Sequence, residues 1–153
     1  MKTWILLIFR LAQPARRLID KLQDKIEKIA LNPFGRTEVQ YERILKLTDK
    51  RAAIINLLYL HRLLCEAIGG EEAAIMELYA RGKTGREIGE ARGESAMQIF
   101  VRLRRAFTKG ERALKKEGYD LVRLEKEYCS LNEIRDAYLR MENGQRKSKV
   151  TED

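Results

Sequence analysis

The sequence predicts an all-α protein, and three observations lead to that prediction. Apolar residues recur at three- and four-residue steps along most of the 153-residue chain, which is the period of an amphipathic helix. Only two residues are proline and 35% are charged, a composition typical of long helices with solvated faces. Four Ser/Thr-x-x-Glu/Gln patterns, each a capping box, indicate helix starts. No segment has the alternating pattern of a β-strand.

Residues 1–70 are predicted to form a helical hairpin that is similar to a coiled coil. Its first helix covers residues 15–31, with Pro14 just inside its start and the turn NPFG, residues 32–35, at its end. The apolar run from Trp4 to Phe9 is too short to span a membrane, and Arg10 interrupts it as a signal peptide. We expect this run to start the first helix or to pack on the hairpin, and contact with a membrane surface is the alternative.

The second helix is predicted to open on a capping box of Thr37 and Gln40 and to run to Ile68, before Gly69-Gly70. Its apolar residues alternate four and three positions apart, as the inner positions of a coiled coil do. We expect this seam to be the core of the hairpin, and contact with a second copy of the protein is the alternative. The seam consists of Tyr41, Leu45, Thr48, Ala52, Ile55, Tyr59 and either Arg62 or Leu63.

Residues 71–116 are predicted to form three shorter helices, which are separated by turns at Gly82 and Gly93. These helices cover residues 71–80, 84–92 and 95–116. The second and third helices open on capping boxes, Thr84 with Glu87 and Ser95 with Gln98. We expect positive φ at Gly93 and a close approach of the two helices at Gly89. The expected buried residues are Ala74, Ile75, Leu78 and Tyr79 in the first helix and Ile88, Ala91, Ile99, Leu103 and Ala106 in the other two.

Residues 117–144 are predicted to form C-terminal helices. One covers Asp120 to Tyr128, and the other opens on a capping box of Ser130 and Glu133 and ends near Glu142, before Asn143-Gly144. The polar tail, residues 145–153, is expected to be disordered.

Positive charge is concentrated in one segment of the chain. The formal net charge is +8, and residues 81–116 alone hold 11 basic and 4 acidic side chains, a net charge of +7. Residues 1–80 carry +3 and residues 117–153 carry −2. A local excess of this kind favours an anionic partner such as DNA, RNA or a membrane surface.

The basic segment has the organisation of a tri-helical helix-turn-helix, whose last helix enters the major groove. At about 100° per residue, the expected buried residues of the helix 95–116 share one face, which points inward. The opposite face is predicted to be exposed, and it has no acidic residue between Ser95 and Thr108. Arg can hold guanine and Gln can hold adenine through two atoms each, and an apolar side chain can contact a thymine methyl. The predicted base contacts are Met97, Gln98, Val101, Arg104 and Arg105, and the predicted phosphate contacts are Arg81, Lys83, Arg86, Arg92, Thr108 and Lys109.

Residues 77–114, ELYARGKTGREIGEARGESAMQIFVRLRRAFTKGERAL, resemble region four of bacterial sigma factors, which reads the −35 promoter element. The matching features are E-L-Y, R-G-K, T-x-R-E-I-x-E, the turn glycine, S-x-x-Q and V-R-L-x-R-A. The upstream helices look like those of phage and prophage regulators of the RinA and ArpU type, and this resemblance implies a role in transcription of phage late genes. The family has aliphatic residues at Arg92 and Glu94, so we expect a looser turn or an Arg92 stem laid over the core.

The chain offers little for catalysis or metal binding. Cys65 and Cys129 lack metal-ligand spacing and fit buried thiols in a reducing compartment, and the one histidine, His61, is expected to be structural. The glycines of residues 82–93 follow no strand and precede no G-K-S/T, so they do not predict a phosphate-binding loop. We therefore predict no enzyme, no metal and no cofactor, in a cytoplasmic, nucleoid-associated protein.

The predicted function is a sequence-specific transcription regulator, of phage or prophage origin, that reads double-stranded DNA with the helix of residues 95–116. Two alternatives stay open: a phage DNA-packaging module similar to a small terminase subunit, and a protein that binds RNA polymerase without DNA specificity of its own. RNA polymerase is a candidate second partner. The seam of the second helix and the C-terminal helix are candidate surfaces for a homodimer.

Overall fold

A computed structural model describes residues 1–32 and 37–152, with side chains as far as Gly144. Within these described residues the chain forms seven α-helices and no β-strand, which confirms the all-α prediction. Two compact units are present, a larger unit of Met1–Arg10 with Leu60–Asp153 and a smaller unit of Leu11–Tyr59, a division that cuts across the predicted segment 1–70. The helices are α1 (Lys2–Ala30), α2 (Thr37–Ile68), α3 (Gly70–Ala80), α4 (Gly85–Arg92), α5 (Ala96–Lys116), α6 (Leu121–Tyr128) and α7 (Asn132–Glu152).

The core of the larger unit is built around the first ten residues. Trp4 is fully buried, and its ring stacks on Tyr138 of α7 with the ring centroids 4.8 Å apart. A Cβ atom on Gly110 of α5 would lie 3.2 Å from the side chains of both Ile5 and Leu64, so the missing side chain lets α5 pass close to both helices. The expectation that the apolar run starts the first helix is therefore confirmed, and the run is also a central part of this core.

Two predicted helix boundaries in α1 and α7 were wrong. α1 begins at Lys2 and holds Pro14 in its interior. A proline there costs about 3 kcal/mol, which the burial of several large apolar side chains outweighs. α7 begins at Asn132, and the Ser130 hydroxyl donates to the Glu127 carbonyl at 3.4 Å instead of capping the helix.

The end of α7 also differs from the prediction. The helix continues to Glu152 because Gly144 does not take the positive φ that would end it, and one helical glycine costs only about 1 kcal/mol. Residues 145–153 were predicted to be a disordered tail, and their side chains are not among those that the structure describes.

The smaller unit corrects the role of Gln40. Its amide nitrogen donates at 3.2 Å to the carbonyls of both Ile29 and Asn32, at the end of α1. Gln40 thus satisfies carbonyls that have no partner within α1, and α2 itself begins at Thr37. The predicted turn residues 33–35 lie outside the described residues.

The predicted seam of α2 was placed on the wrong face. Ile54 and Leu57 are the buried residues of α2 in the smaller unit, whereas the seam is exposed from Tyr41 to Tyr59. Of the two alternatives for its last position, Arg62 is exposed and Leu63 is half-buried. α2 carries a second apolar stripe, which includes Ile44 and Leu47, and periodicity alone does not say which stripe is buried. The exposed fractions in the seam are 65% for Tyr41, 60% for Leu45, 41% for Ile55 and 50% for Tyr59.

Candidate nucleic-acid interface

Helices α3, α4 and α5 pack against one another in the larger unit. Gly93, between α4 and α5, has φ 70° and ψ 30°, the left-handed conformation expected at this turn. The next amide, of Glu94, donates to the Gly89 carbonyl at 2.9 Å. The predicted shared core is confirmed for Ile88, Ile99, Leu103 and Ala106, whereas Ala91 is exposed.

The burial of α3 differs in detail from the prediction. Ile75 is buried as expected, but Ala74 is exposed, and Leu78 and Tyr79 are half-buried. The other buried residues are Ala73, Met76 and Ala80. The inward face of α3 therefore contains Ala73 and Met76 in place of Ala74.

Both capping boxes of this region form. The Glu87 amide donates to the Thr84 hydroxyl at 3.1 Å, and the Thr84 amide donates to the Glu87 carboxylate at 3.4 Å. The Gln98 amide donates to the Ser95 hydroxyl at 3.2 Å, and the Ser95 amide donates to the Gln98 side-chain oxygen at 2.8 Å. These reciprocal bonds fix the starts of α4 and α5 on either side of the Gly93 turn.

Two glycines of α4 make room for the turn and for α5. A Cβ atom on Gly89 would lie 2.5 Å from the backbone oxygen of Glu94, so only glycine fits this position without a shift of the turn. A Cβ atom on Gly85 would lie 2.8 Å from the ring of Phe100, which covers the start of α4. The sequence assigned no firm role to Gly85, and the structure supplies one.

Arg92 and Glu94, where aliphatic residues were expected, take part in ion pairs around the turn. The Glu94 side chain is only 20% exposed and lies 3.3 Å from Arg102 and 3.9 Å from Arg92. Arg102 also lies 3.4 Å from Glu71 of α3. Charged groups therefore join α3, the turn and α5, so the turn has specific contacts where a looser packing was one expectation.

The predicted base-contacting side chains lie together on the exposed face of α5. Met97 is 75% exposed and Val101 is 41% exposed, and Gln98, Arg104 and Arg105 are exposed as well. Neither Arg104 nor Arg105 forms an ion pair with any residue that the structure describes. This face therefore presents two guanidinium groups and two apolar groups to a partner.

Two of the predicted contact residues already use part of their hydrogen-bonding capacity. The side-chain oxygen of Gln98 accepts the Ser95 amide, and a two-atom contact to adenine would need that same oxygen. The Thr108 hydroxyl donates to the Arg104 carbonyl at 3.0 Å, so its hydrogen is not directed at a phosphate. Lys109 is exposed and, within the described residues, has no ion-pair partner.

The four predicted phosphate contacts around α4 each lie beside a glutamate. The nearest nitrogen-to-oxygen distances are 3.2 Å for Arg81–Glu77, 3.8 Å for Lys83–Glu87, 3.4 Å for Arg86–Glu90 and 3.9 Å for Arg92–Glu94. The first three pairs are exposed, and such pairs contribute roughly 0–1 kcal/mol, so a phosphate can displace their glutamates. Arg92 is the least available of the four because its side chain is only 28% exposed.

The structure adds two cations to this face that the sequence reading left out. Arg112 and Lys116 continue the line of Arg105 and Lys109 at four- and three-residue steps, and all four are exposed. At about 100° per residue they fall within roughly 60° of one another. The same spacing is present in the sequence, in the second half of the predicted helix 95–116.

The histidine and the two cysteines, the side chains best suited to metal binding or nucleophilic chemistry, are packed against other side chains or held as protonated thiols. The His61 ring meets Phe9 edge to face at 5.0 Å, and its Nε2 lies 3.6 Å from the sulfur of Cys65. Burial, followed by the nearby Glu77 and Glu66, raises the pKa of the Cys65 thiol. Burial and then Glu125 raise the pKa of Cys129, so both half-buried thiols are held in the protonated, less nucleophilic form.

No protein-family model, no curated protein and no solved structure matches the chain. Among the described residues, no helix combines the length and the apolar character needed to cross a membrane.

Proposed function

We propose that α3, α4 and α5 form a helix-turn-helix that binds double-stranded DNA with α5 in the major groove, and that the protein is a transcription regulator of phage or prophage origin. The observation that carries this proposal is the exposed face of α5, where Arg104, Arg105, Lys109 and Arg112 have no ion-pair partner among the described residues. The resemblance of residues 77–114 to sigma region four supports the assignment to transcription.

The turn geometry supports the same proposal. A major-groove helix must project from a fixed base, and the Gly93 turn, the two capping boxes and the Glu94 ion pairs hold the start of α5. The exposed residues nearest that start, Met97, Gln98 and Val101, are those that would reach base edges first. Arg104 and Arg105 follow one turn later, where Arg can bind guanine through two atoms.

Binding of a duplex by the double variant Arg104→Ala/Arg105→Ala tests this proposal. Loss of one two-atom arginine contact to a base costs about 1–3 kcal/mol. We therefore expect the Kd for the preferred duplex to rise by at least about fivefold, and by up to about 150-fold for each of the two arginines that holds a base in this way. Fluorescence anisotropy with a labelled duplex measures the Kd, and circular dichroism checks that helicity is unchanged.

The matched control removes the same charge from another surface. Arg135 and Arg140 lie on α7 and are both exposed, so Arg135→Ala/Arg140→Ala lowers the net charge equally. We expect this control to change the Kd less than threefold, because general attraction to DNA falls off beyond a Debye length of about 8 Å in physiological salt. Equal losses in the two double variants would mean that α5 does not read the duplex.

A protein partner is the second candidate, and the pairing around α4 favours it. Each predicted phosphate contact there has a glutamate within 4 Å, so the surface of α4 is close to neutral. A surface of this kind suits a protein such as RNA polymerase better than a phosphate backbone. Retention of RNA polymerase by the protein, with no duplex bound even at low salt, would favour this candidate over DNA reading.

A further inference from the structure

The exposed face of α2 carries a continuous apolar stripe, which we call the α2 seam. It consists of Tyr41, Leu45, Thr48, Ala52, Ile55 and Tyr59, and all six are exposed and belong to the smaller unit. At about 100° per residue they fall within roughly 80° of arc, and Ile54 and Leu57 lie on the far side of the helix. The largest apolar patch on a monomer covers about 300–600 Å² and often marks an interaction site, so the seam is a candidate for one.

The smaller unit has an incomplete core. It contains two helical segments, and Ile19, Ile26, Ile44 and Leu47 are only half-buried in it. The apolar stripe of a helix has to be buried against another element, and the two helical segments of this unit leave these side chains partly exposed. A partner helix on the α2 seam would bury apolar side chains on the side of α2 opposite Ile54 and Leu57, in addition to the contacts inside the unit.

We propose that the α2 seam pairs with the seam of a second copy of this chain, in parallel and in register. The seam residues are spaced four, three, four, three and four apart, which keeps one edge of the helix facing a partner over its whole length. Leu45, Ala52 and Tyr59 occupy one inner position of the repeat, and Tyr41, Thr48 and Ile55 occupy the other. An identical seam on a second copy presents the same spacing, as a two-fold interface requires.

The flanking charges select the parallel direction. In an antiparallel pair Asp49 would face Asp49 of the second copy, and Arg51 would face Arg51, so two like-charge contacts would lie at the two-fold axis. In a parallel pair Asp49 faces Ile44 of the second copy and Arg51 faces Asn56, and neither contact joins like charges. Facing like charges destabilise a helix pair, so the parallel direction is favoured.

The area of the seam predicts a weak dimer. With about 200 Å² for an aromatic side chain, the exposed parts of Tyr41 and Tyr59 offer roughly 230 Å² per copy. With Leu45, Ile55 and the small residues between them, the pair buries roughly 800–1,000 Å², below the 1,200–2,000 Å² of a stable interface. We therefore expect a reversible dimer with a Kd in the micromolar range.

Light scattering of the full-length protein, without DNA, tests the dimer over a range of concentrations. The wild type should approach twice its monomer mass of 17.9 kDa near 100 μM, the upper part of the expected range. Leu45→Glu/Ile55→Glu should raise the Kd by about a hundredfold and leave a monomer, because two exposed apolar contacts per copy become charged. Val39→Glu is the matched control, since Val39 is 56% exposed on the same helix but lies off the seam.

A gain of association separates pairing from a change in folding. Thr48→Leu/Ala52→Leu enlarges the two small positions of the seam and should lower the Kd at least tenfold. After replacement of Cys65 and Cys129 by Ser, mild oxidation should link two copies of Ala52→Cys but not two copies of Val39→Cys.

Several results would overturn the proposal. They are a wild-type monomer at 100 μM, a dimer that Leu45→Glu/Ile55→Glu leaves intact, a dimer that Val39→Glu dissociates, and a ring of eight or more copies. Disulfide linkage only between Thr48→Cys of one copy and Ala52→Cys of the other would overturn the parallel direction. Dimerisation and DNA binding are measured separately, so the failure of one leaves the other standing.

Discussion

Gly89→Ala is a direct perturbation of the turn that sets the direction of α5. The new Cβ atom would lie 2.5 Å from the backbone oxygen of Glu94 and 3.3 Å from the carbonyl carbons of Glu94 and Ser95. These are main-chain atoms of a turn fixed by a capping box, so no side-chain rotation relieves the contact. The turn must shift instead.

The expected cost follows from two opposing terms. Adding a carbon to a packed site costs roughly 1–3 kcal/mol, and a backbone obstacle belongs at the upper end of that range. Alanine is about 1 kcal/mol more favourable than glycine inside a helix. The net loss is about 2 kcal/mol, and in a protein of this size it lowers the melting temperature by roughly 4–8 °C.

Two further glycines make a graded series with the same substitution. At Gly85 the obstacle is the Phe100 ring at 2.8 Å, and this ring is 49% exposed and free to move, so Gly85→Ala should cost less than Gly89→Ala. At Gly144, within α7, nothing lies within 4 Å of the new Cβ atom, so Gly144→Ala should be neutral or stabilising.

The single tryptophan provides the assay for this series. Trp4 is buried in the same unit as the three glycines, so the thermal change in its fluorescence reports the unfolding of that unit. The predicted order of melting temperatures is Gly144→Ala highest, then Gly85→Ala, then Gly89→Ala. A melting temperature of Gly89→Ala equal to or above that of Gly144→Ala would mean that the Glu94 backbone does not obstruct a side chain at position 89.

Two other predictions concern charge. Glu94→Gln should lower the free energy of unfolding by about 1 kcal/mol in low salt, because it weakens the contacts with Arg92 and Arg102. The loss should be smaller in 1 M salt, where charges are screened. Urea unfolding measures both values, and the control Glu66→Gln, in an exposed pair, should have almost no effect. Burial, and then the Glu142 carboxylate, raise the pKa of Tyr138 to about 12. The folded protein thus binds the phenolic proton more tightly than the unfolded chain, whose tyrosine titrates near pH 10, so this stabilisation is complete below pH 10 and is lost as the pH rises through 12. Alkaline unfolding that is identical in wild type and Tyr138→Phe would contradict this.

The sequence predicted local structure best where the cause is local. The boxes of Thr84 and Ser95 and the left-handed Gly93 depend on residues within a few positions of one another, and all three form as expected. The exposed face of α5 was also predictable, because a single helical period separates its inner residues from its outer ones.

The features that depended on distant residues were not predictable in the same way. The role of Gly85 depends on Phe100, and that of Gly110 depends on Ile5 and Leu64, which the sequence does not bring together. The helical continuity through Pro14 was also not predictable, because a proline favours a helix start and here it lies in the interior of α1.

The α2 seam illustrates a different limit. Two apolar stripes compete on one helix, and only packing decides which of them is buried. The seam could therefore be identified from the sequence. That the single chain leaves it exposed could not.

Selection of bound duplexes from a random DNA pool is the sharpest test of whether α5 reads DNA. We predict that the wild-type protein enriches one recurrent site, and that Arg104→Ala/Arg105→Ala, carried through the same selection, fails to enrich it while Arg135→Ala/Arg140→Ala succeeds. A wild-type pool that stays random, or the same site enriched by the Arg104→Ala/Arg105→Ala variant, would contradict the claim that α5 reads DNA.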